Sequence, residues 1–128
     1  MTQYQDLPVY RHRNEILTAL SNNQVIVVES PTGSGKTTQI PLILKDAGYA
    51  ELGVIGITQP RRIAAMSVSE YIKKQINDEG TYCGYTMRFH DTTDKNTRIK
   101  IMTDGILLQE VKDDPILSRY SVIMVDEA

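Results

Sequence analysis

The sequence is organised around the stretch Ser30-Pro31-Thr32-Gly33-Ser34-Gly35-Lys36-Thr37-Thr38. An apolar β-branched run, Val25-Ile26-Val27-Val28, precedes it, and a segment of helical composition follows it. The order strand, glycine-rich turn, helix N-terminus is typical of a phosphate-binding loop, although Ser30 stands where the strict pattern G-x-x-x-x-G-K-[ST] has glycine. A glycine turn with an incidental lysine is the alternative, and the flanking strand and helix make it the weaker one.

The residue types in this loop suit the phosphates of a nucleotide. Gly33 and Gly35 can adopt backbone angles that other residues avoid, so successive N–H groups can turn inward at the positive end of the following helix. Lys36 supplies a positive charge for the β- and γ-phosphates, and the Thr37 hydroxyl is placed to hold Mg²⁺. Nucleotide binding is therefore the first functional prediction.

Composition limits the classes of protein that remain. With 128 residues the chain has the size of one domain, and its net charge of −2 means that any nucleic-acid contact needs a local basic patch. The single cysteine, Cys83, cannot form an internal disulfide, and no Cys or His spacing is typical of a structural metal. The first residues have neither the basic n-region nor the apolar h-region that a signal peptide would show, and no apolar run approaches about 20 residues. We therefore expect a soluble, intracellular protein with no membrane partner.

Strands that alternate with helices predict an α/β fold. Apolar runs predict strands at 25–28, 54–58, 82–89, 99–103 and 120–125, with 91–96 as a turn. Helices are predicted from Pro8 to about 21–23, from Lys36 to Ala47 with Gly48 as a left-handed cap, from Ile63 to Ile76, and from Gly105 to Val111 with Asp104 as a cap. The order predicts a RecA-like P-loop NTPase domain in which helices flank a mostly parallel sheet.

Charged residues follow two of the predicted strands. Asp126 and Glu127 come directly after the last one, where Asp126 can hold Mg²⁺ through water and Glu127 can polarise the water that attacks a γ-phosphate. The alternative is a solvated acidic segment, and the phosphate loop favours the functional reading. Arg61 and Arg62 follow the strand at 54–58 and can grip nucleic-acid phosphates, although an Arg pair alone is more often a solvated helix start.

The order of five segments closely resembles the DEAH-box helicase family, and the resemblance covers essentially the whole chain. The segments are Ser30-Pro31-Thr32-Gly33-Ser34-Gly35-Lys36-Thr37-Thr38-Gln39-Ile40-Pro41, Thr58-Gln59-Pro60-Arg61-Arg62-Ile63-Ala64-Ala65, Gly84-Tyr85-Thr86-Met87-Arg88-Phe89, Thr103-Asp104-Gly105-Ile106-Leu107-Leu108-Gln109-Glu110 and Asp126-Glu127-Ala128. They follow one another in the family's order and spacing.

The resemblance implies an ATP-dependent RNA helicase that couples ATP hydrolysis to translocation and unwinding. It implies that Lys36, Thr37 and Asp126 bind Mg-ATP, with Thr37 and Asp126 at the Mg²⁺, and that Glu127 acts as the base. Gly33, Ser34, Gly35 and Thr38 would complete the phosphate cradle. It further implies that Arg61, Arg62, Thr103, Asp104 and Gly105 hold the backbone of single-stranded RNA. Contacts to phosphates alone do not exclude DNA, because only a 2′-hydroxyl contact distinguishes the two.

By the same resemblance, residues 1–128 are the N-terminal part of the first RecA-like lobe and stop one residue before the His of the last motif. The second RecA-like lobe of the same polypeptide, with its arginine fingers, is then the expected partner. We expect this stretch alone to be inactive in hydrolysis. The oligomeric state and the RNA substrate stay open.

Two other functions remain as alternatives. A phosphate-loop kinase shares the loop, but it has no use for the 58–65 segment at that spacing. A non-catalytic nucleic-acid-binding scaffold module would keep the fold without turnover, and the presence of Lys36, Thr37, Asp126 and Glu127 argues against it.

Two substitutions in the expected two-lobed enzyme test these assignments. Lys36→Ala should weaken ATP binding and abolish hydrolysis, because no other cation on this loop can neutralise the β- and γ-phosphates.

Glu127→Gln should retain ATP binding and lose turnover. Equilibrium nucleotide binding and phosphate release measure the two steps separately, and a Gln variant that hydrolyses ATP at the parental rate would show that Glu127 is not the base.

Overall fold

The computed structural model describes residues 12–23 and 36–125. Its helices are α1 Arg13–Asn22, α2 Lys36–Asp46, α3 Tyr49–Leu52, α4 Arg62–Gln75 and α5 Asp104–Asp113, and its strands are β1 Val54–Gln59, β2 Cys83–Met87, β3 His90–Asp91, β4 Ile99–Thr103 and β5 Tyr120–Val125. The strand predicted at 25–28 and the helix start predicted at Pro8 lie outside the described residues.

The strands of the described part form one sheet in the order β3-β2-β4-β1-β5. Strands β2, β4, β1 and β5 run parallel, and only the two-residue β3 is antiparallel, to β2. The prediction of an α/β fold with a mostly parallel sheet is thus confirmed. The apolar runs that predicted β1, β4 and β5 are typical of strands that helices cover.

Alternation along the strands divides the sheet into two faces. On one face Ile55, Ile57, Ile99 and Ile101 are fully buried, and together with Ile72 of α4 they belong to the main hydrophobic core. The opposite face carries Gly84, Lys100 and Gly56 in one row across β2, β4 and β1. Helix α5 lies on that second face, where its Glu110 contacts Lys100 at 2.6 Å.

Helix α2 agrees with its prediction closely. It begins at Lys36 and ends at Asp46, and Gly48 has a φ of +94°, as a left-handed cap requires. Pro41 lies inside the helix and is fully buried. The proline removes one backbone hydrogen bond, and its complete burial provides a compensating apolar contact.

Helix α4 packs on the sheet through two small residues and one isoleucine. Ala65, Ser69 and Ile72, spaced by four and three residues, point to the core, whereas Ile63 is 78% exposed and Met66 is 40% exposed. The Ser69 hydroxyl lies 3.8 Å from the Cys83 sulfur of β2, so small side chains bring the helix close to the sheet. Burial raises the pKa of the Cys83 thiol to about 12, which keeps the thiol protonated.

Two local predictions were wrong. The turn after β2 is Arg88–Phe89, with Met87 opposite His90, and the predicted turn at 91–96 therefore begins inside β3. The second correction is that Asp104 does not cap α5: it is the first helical residue, Thr103 occupies the cap position without a side-chain cap bond, and the helix continues to Asp113. Both turns lie where a strand ends, and sequence periodicity locates such ends poorly.

No helix in the described ranges 12–23 and 36–125 is long and apolar enough to cross a bilayer.

Gly53, just before β1, tests the packing between β1 and β5. A Cβ at this position would lie 2.9 Å from the backbone nitrogen of Ser121 and 3.0 Å from the carbonyl oxygen of Arg119. Backbone atoms cannot rotate away, so Gly53→Ala should lower the free energy of unfolding by about 1–3 kcal/mol. Chemical denaturation measures the change. Gly80→Ala is the matched control, because its added Cβ meets only Asp78 Oδ1 at 3.7 Å, and an equal loss in both variants would contradict the packing argument.

Candidate nucleotide and nucleic-acid site

The carboxyl ends of the parallel strands meet at one edge of the sheet. In the ladders, Gln59 lies opposite Thr103, and Thr58 lies opposite Val125. The carboxyl ends of β1, β4 and β5 therefore lie side by side. Open α/β sheets bind their ligands at this edge, which is therefore the candidate site.

The nucleotide part of the site is described only from Lys36 onward. The backbone of Lys36 opens α2, as the predicted phosphate loop requires, and Thr37 and Thr38 are half-buried in its first turn. Gly33, Ser34, Gly35, Asp126 and Glu127 lie outside the described residues, as does the side chain of Lys36.

The described residues fit a bound nucleotide. A helix N-terminus directly after a glycine-rich segment provides N–H donors and the positive end of the helix dipole. Two fully buried side-chain oxygens, Gln39 Oε1 on α2 and Thr58 Oγ1 on β1, have no hydrogen-bond partner among the residues that the structure describes. Buried oxygens are rarely left unpaired, so both oxygens are expected to have partners beyond the described residues.

The predicted nucleic-acid residues are brought together by the pairing of β1 with β4. Arg61 and Arg62 are exposed and stand two and three positions after Gln59, the residue opposite Thr103. Within the described part of the chain neither arginine forms an ion pair with a carboxylate. Asp104 and Gly105 are exposed beside them, and a Cβ on Gly105 would meet nothing within 4 Å. The turn at the start of α5 is thus open to a ligand.

A further pair of residues at this edge was missed by the sequence reasoning. The Arg88–Phe89 turn follows β2, the neighbour of β4, and Phe89 is 92% exposed with the Arg88 guanidinium 4.9 Å from its ring centroid. The φ of Phe89 is +69°, a conformation that is unfavourable for a bulky side chain. The sequence signal was an Arg-Phe pair at a strand end, and it was read as the end of a strand.

A polar cluster lies beneath the second half of α5, toward the amino ends of β4 and β5. Glu110 accepts hydrogen bonds from Lys100 Nζ at 2.6 Å and from Arg119 Nη2 at 3.2 Å, and the Tyr120 hydroxyl donates to its other oxygen. Burial, followed by the hydrogen bond to Glu110, raises the pKa of Tyr120 well above its usual range. Tyr120 therefore stays protonated and acts as a donor near neutral pH.

A parallel sheet with a glycine-rich segment leading into a helix at Lys36, and with charged residues gathered at its carboxyl edge, defines the class of nucleotide-binding α/β domains. Within that class the chain belongs to the DEAD/DEAH box helicase family, whose model matches residues 10–128. The resemblance drawn from the five motifs is confirmed.

Individual relatives agree with this assignment. The chain is 54% identical over 123 residues to the ATP-dependent RNA helicase HrpA of Borreliella burgdorferi. This alignment covers 95% of the chain and 15% of that protein. The chain is 50% identical over 127 residues to the ATP-dependent RNA helicase DHX33 of Drosophila melanogaster, covering 98% of the chain and 18% of the relative. Thus the chain spans less than a fifth of the length of these relatives.

Two substitutions at Phe89 test whether the backbone of the Arg88–Phe89 turn is strained. Phe89→Gly should raise the free energy of unfolding by about 1 kcal/mol relative to Phe89→Ala, because only glycine adopts a positive φ without cost. Both variants lose the same exposed ring, so the comparison isolates the backbone strain. Chemical denaturation of the two proteins checks it, and equal stabilities would show that residue 89 is unstrained.

Proposed function

We propose that this chain is part of the first RecA-like lobe of a DEAH-box RNA helicase, which binds Mg-ATP and single-stranded RNA and couples hydrolysis to translocation and unwinding. The observation that carries the proposal is the strand register at the carboxyl edge. Because Gln59 faces Thr103 and Thr58 faces Val125, the arginine pair, the turn at Asp104 and the strand leading to Asp126 are neighbours. Family membership supports the nucleotide part.

In the proposed site Lys36 neutralises the β- and γ-phosphates, and Gly33, Ser34, Gly35 and Thr38 complete the cradle. Thr37 and Asp126 hold Mg²⁺, which, when bound, neutralises charge on the phosphate oxygens. Glu127 is the base that orients and polarises the attacking water.

The proposed RNA contacts are to the sugar-phosphate backbone and to the faces of the bases, and none of them distinguishes one base from another. Arg61 and Arg62 present charge to phosphates, and the exposed turn at Thr103, Asp104 and Gly105 lies beside them. Phe89, with Arg88 over its ring, offers a stacking surface at the same edge. Phosphate contacts and base stacking do not depend on the RNA sequence, and an enzyme that translocates along RNA requires such sequence-independent binding.

A second RecA-like lobe of the same polypeptide is part of the proposal. The relatives are five to seven times longer than this chain, which spans 15% of one and 18% of another. In related phosphoryl-transfer enzymes an arginine finger accelerates hydrolysis by about 10³–10⁵. No residue of the present chain is assigned that role, so residues 1–128 alone should bind Mg-nucleotide weakly without RNA-stimulated hydrolysis.

The arginine pair gives the direct test of RNA binding. Replacing Arg61 and Arg62 together by Ala in the two-lobed enzyme should weaken binding of single-stranded RNA about equally for all sequences. It should also lower the slope of log affinity against log salt by up to about 0.7 for each phosphate that the variant no longer neutralises, while ATP affinity changes little. RNA titrations at several salt concentrations measure both effects.

The matched control replaces Lys95 and Arg98, two exposed cations near the amino end of β4, at the opposite edge of the sheet. It removes the same net charge and should leave RNA binding nearly unchanged. An equal loss in control and test variants would assign the effect to overall charge. A loss confined to one RNA sequence would mean base readout and would overturn the backbone-grip assignment.

A further inference from the structure

The Arg88–Phe89 turn stands at the carboxyl edge with little apolar packing of its own. Thr86 of β2 pairs with Met102 of β4, so the turn lies beside the segment that begins at Thr103. Phe89 is 92% exposed, and its φ of +69° is unfavourable for a bulky residue. Strand β3, which follows the turn, has only two residues. Contacts other than burial of the turn's own side chains therefore keep it in this conformation.

Asp91, two residues after Phe89, supplies such contacts on the face of the sheet that carries Gly84 and Thr86. Its Oδ1 accepts a hydrogen bond at 2.9 Å from the Thr86 hydroxyl, on the strand before the turn. The same oxygen accepts from the backbone nitrogen of Thr93 at 2.8 Å and from the Thr93 hydroxyl. One carboxylate thus ties together the chain before the turn and the chain after it.

His90 provides a second anchor on the opposite face of the sheet. The Tyr85 hydroxyl lies 3.3 Å from His90 Nε2, and the two rings meet edge to face with their centroids 5.0 Å apart. Tyr85 is only 8% exposed and belongs to the hydrophobic core. The hydrogen bonds to Asp91 are the stronger of the two anchors, because an ionised acceptor makes each of them stronger than a neutral contact.

The negative charge of Asp91 is unexpected at an edge that is proposed to bind an anion. Burial alone would raise the pKa of the Asp91 carboxyl, but the hydrogen bonds from Thr93 and Thr86 outweigh burial and hold the pKa below its ordinary value. The carboxylate is therefore charged near neutral pH, and its charge repels the phosphates of a nucleic acid. Its hydrogen bonds indicate a contribution of another kind, which is the placement of the turn.

We propose that Asp91 is a positioning residue, which holds the Arg88–Phe89 turn in the conformation that contacts single-stranded RNA. The inference rests on the proposed function and goes beyond it by naming the residue that prepares the stacking surface. Asp91 acts through Thr86 and Thr93 and does not itself touch the RNA. Because these bonds order the turn before the ligand arrives, RNA binding does not bear the entropy cost of ordering it.

RNA titrations with variants of the two-lobed enzyme test this role. Replacing Arg88 and Phe89 together by Ala should weaken binding of single-stranded RNA about tenfold, because one base loses its stacking partner. Asp91→Ala should weaken binding about fivefold, although it removes a negative charge, because the turn is no longer ordered in advance. In the background that lacks both turn side chains, Asp91→Ala should cause no further loss. Asp91→Asn should retain most of the affinity, since its amide oxygen still accepts the hydrogen bonds.

Asp94→Ala is the matched control. Asp94 accepts from the Thr81 hydroxyl at 2.9 Å and from the backbone nitrogen of Asn96 at 2.8 Å, but it lies near the amino end of β4. The control removes the same charge and the same kinds of hydrogen bond, so RNA affinity should stay nearly unchanged. Thermal unfolding reports the folding of each variant. Thr86→Val, which replaces the hydroxyl that donates to Asp91 by a methyl group, carries the test if Asp91→Ala does not fold.

Several results would overturn the positioning role. Unchanged or tighter RNA binding by Asp91→Ala would show that the turn does not need its carboxylate. An equal loss in Asp91→Ala and Asp94→Ala would assign the effect to general damage, and an equal loss with and without the side chains of Arg88 and Phe89 would place it outside the turn. A loss in Asp91→Asn as large as that in Asp91→Ala would exclude the hydrogen bonds as its cause.

Failure of the proposed function gives a different result. If replacing Arg88 and Phe89 together leaves RNA affinity at the parental value, the stacking surface itself is wrong, and the inference falls with it. If that replacement weakens binding while Asp91→Ala does not, the stacking surface stands and only the positioning role of Asp91 is overturned.

Discussion

The parallel pairing of β1 with β4 and β5 is the constraint on which the candidate site depends. Each residue of slip along a strand moves its end by about 3.3 Å and turns every side chain to the other face. Ile55, Ile57, Ile99 and Ile101 are completely buried on one face, so a slipped register would expose them. The core thus fixes the distance between the arginines after β1 and the turn after β4, although no core residue belongs to the site.

Much of the fold could be predicted because buried parallel strands are continuous apolar runs. The bounds predicted for β4 and β5 agree with the structure, and β1 ends one residue later than predicted, at Gln59 and not at Thr58. The rule that ligands bind at the carboxyl ends of strands placed Arg61 and Arg62 at this edge, whereas Asp104 was assigned only through the resemblance to the helicase family. The placement of the arginines agrees with the structure because both the apolar pattern and the edge rule are local to single strands.

The features that escaped prediction depend on contacts between distant parts of the chain. The Arg88–Phe89 turn is set by the pairing of Met87 with His90, whereas strand composition continues through Phe89 without a break. Glu110 meets Lys100 and Tyr120 only because the sheet order places β4 and β5 under α5. No periodicity in the sequence shows such a triple, since its members belong to three different elements.

The two edges of the sheet differ in how fully their polar groups are satisfied, and this difference has a functional meaning. Toward the amino end of β4, Thr97 donates to the Thr81 carbonyl at 2.7 Å and Thr81 donates to Asp94 at 2.9 Å, so the loops close on themselves. At the carboxyl edge the structure has a strained, exposed Phe89 and an arginine pair without a carboxylate partner among the described residues. Local rules of stability are usually broken where a ligand compensates for the loss. In the proposed function, a single strand of RNA laid across this edge would supply both missing partners, phosphates for the arginines and bases for the aromatic ring.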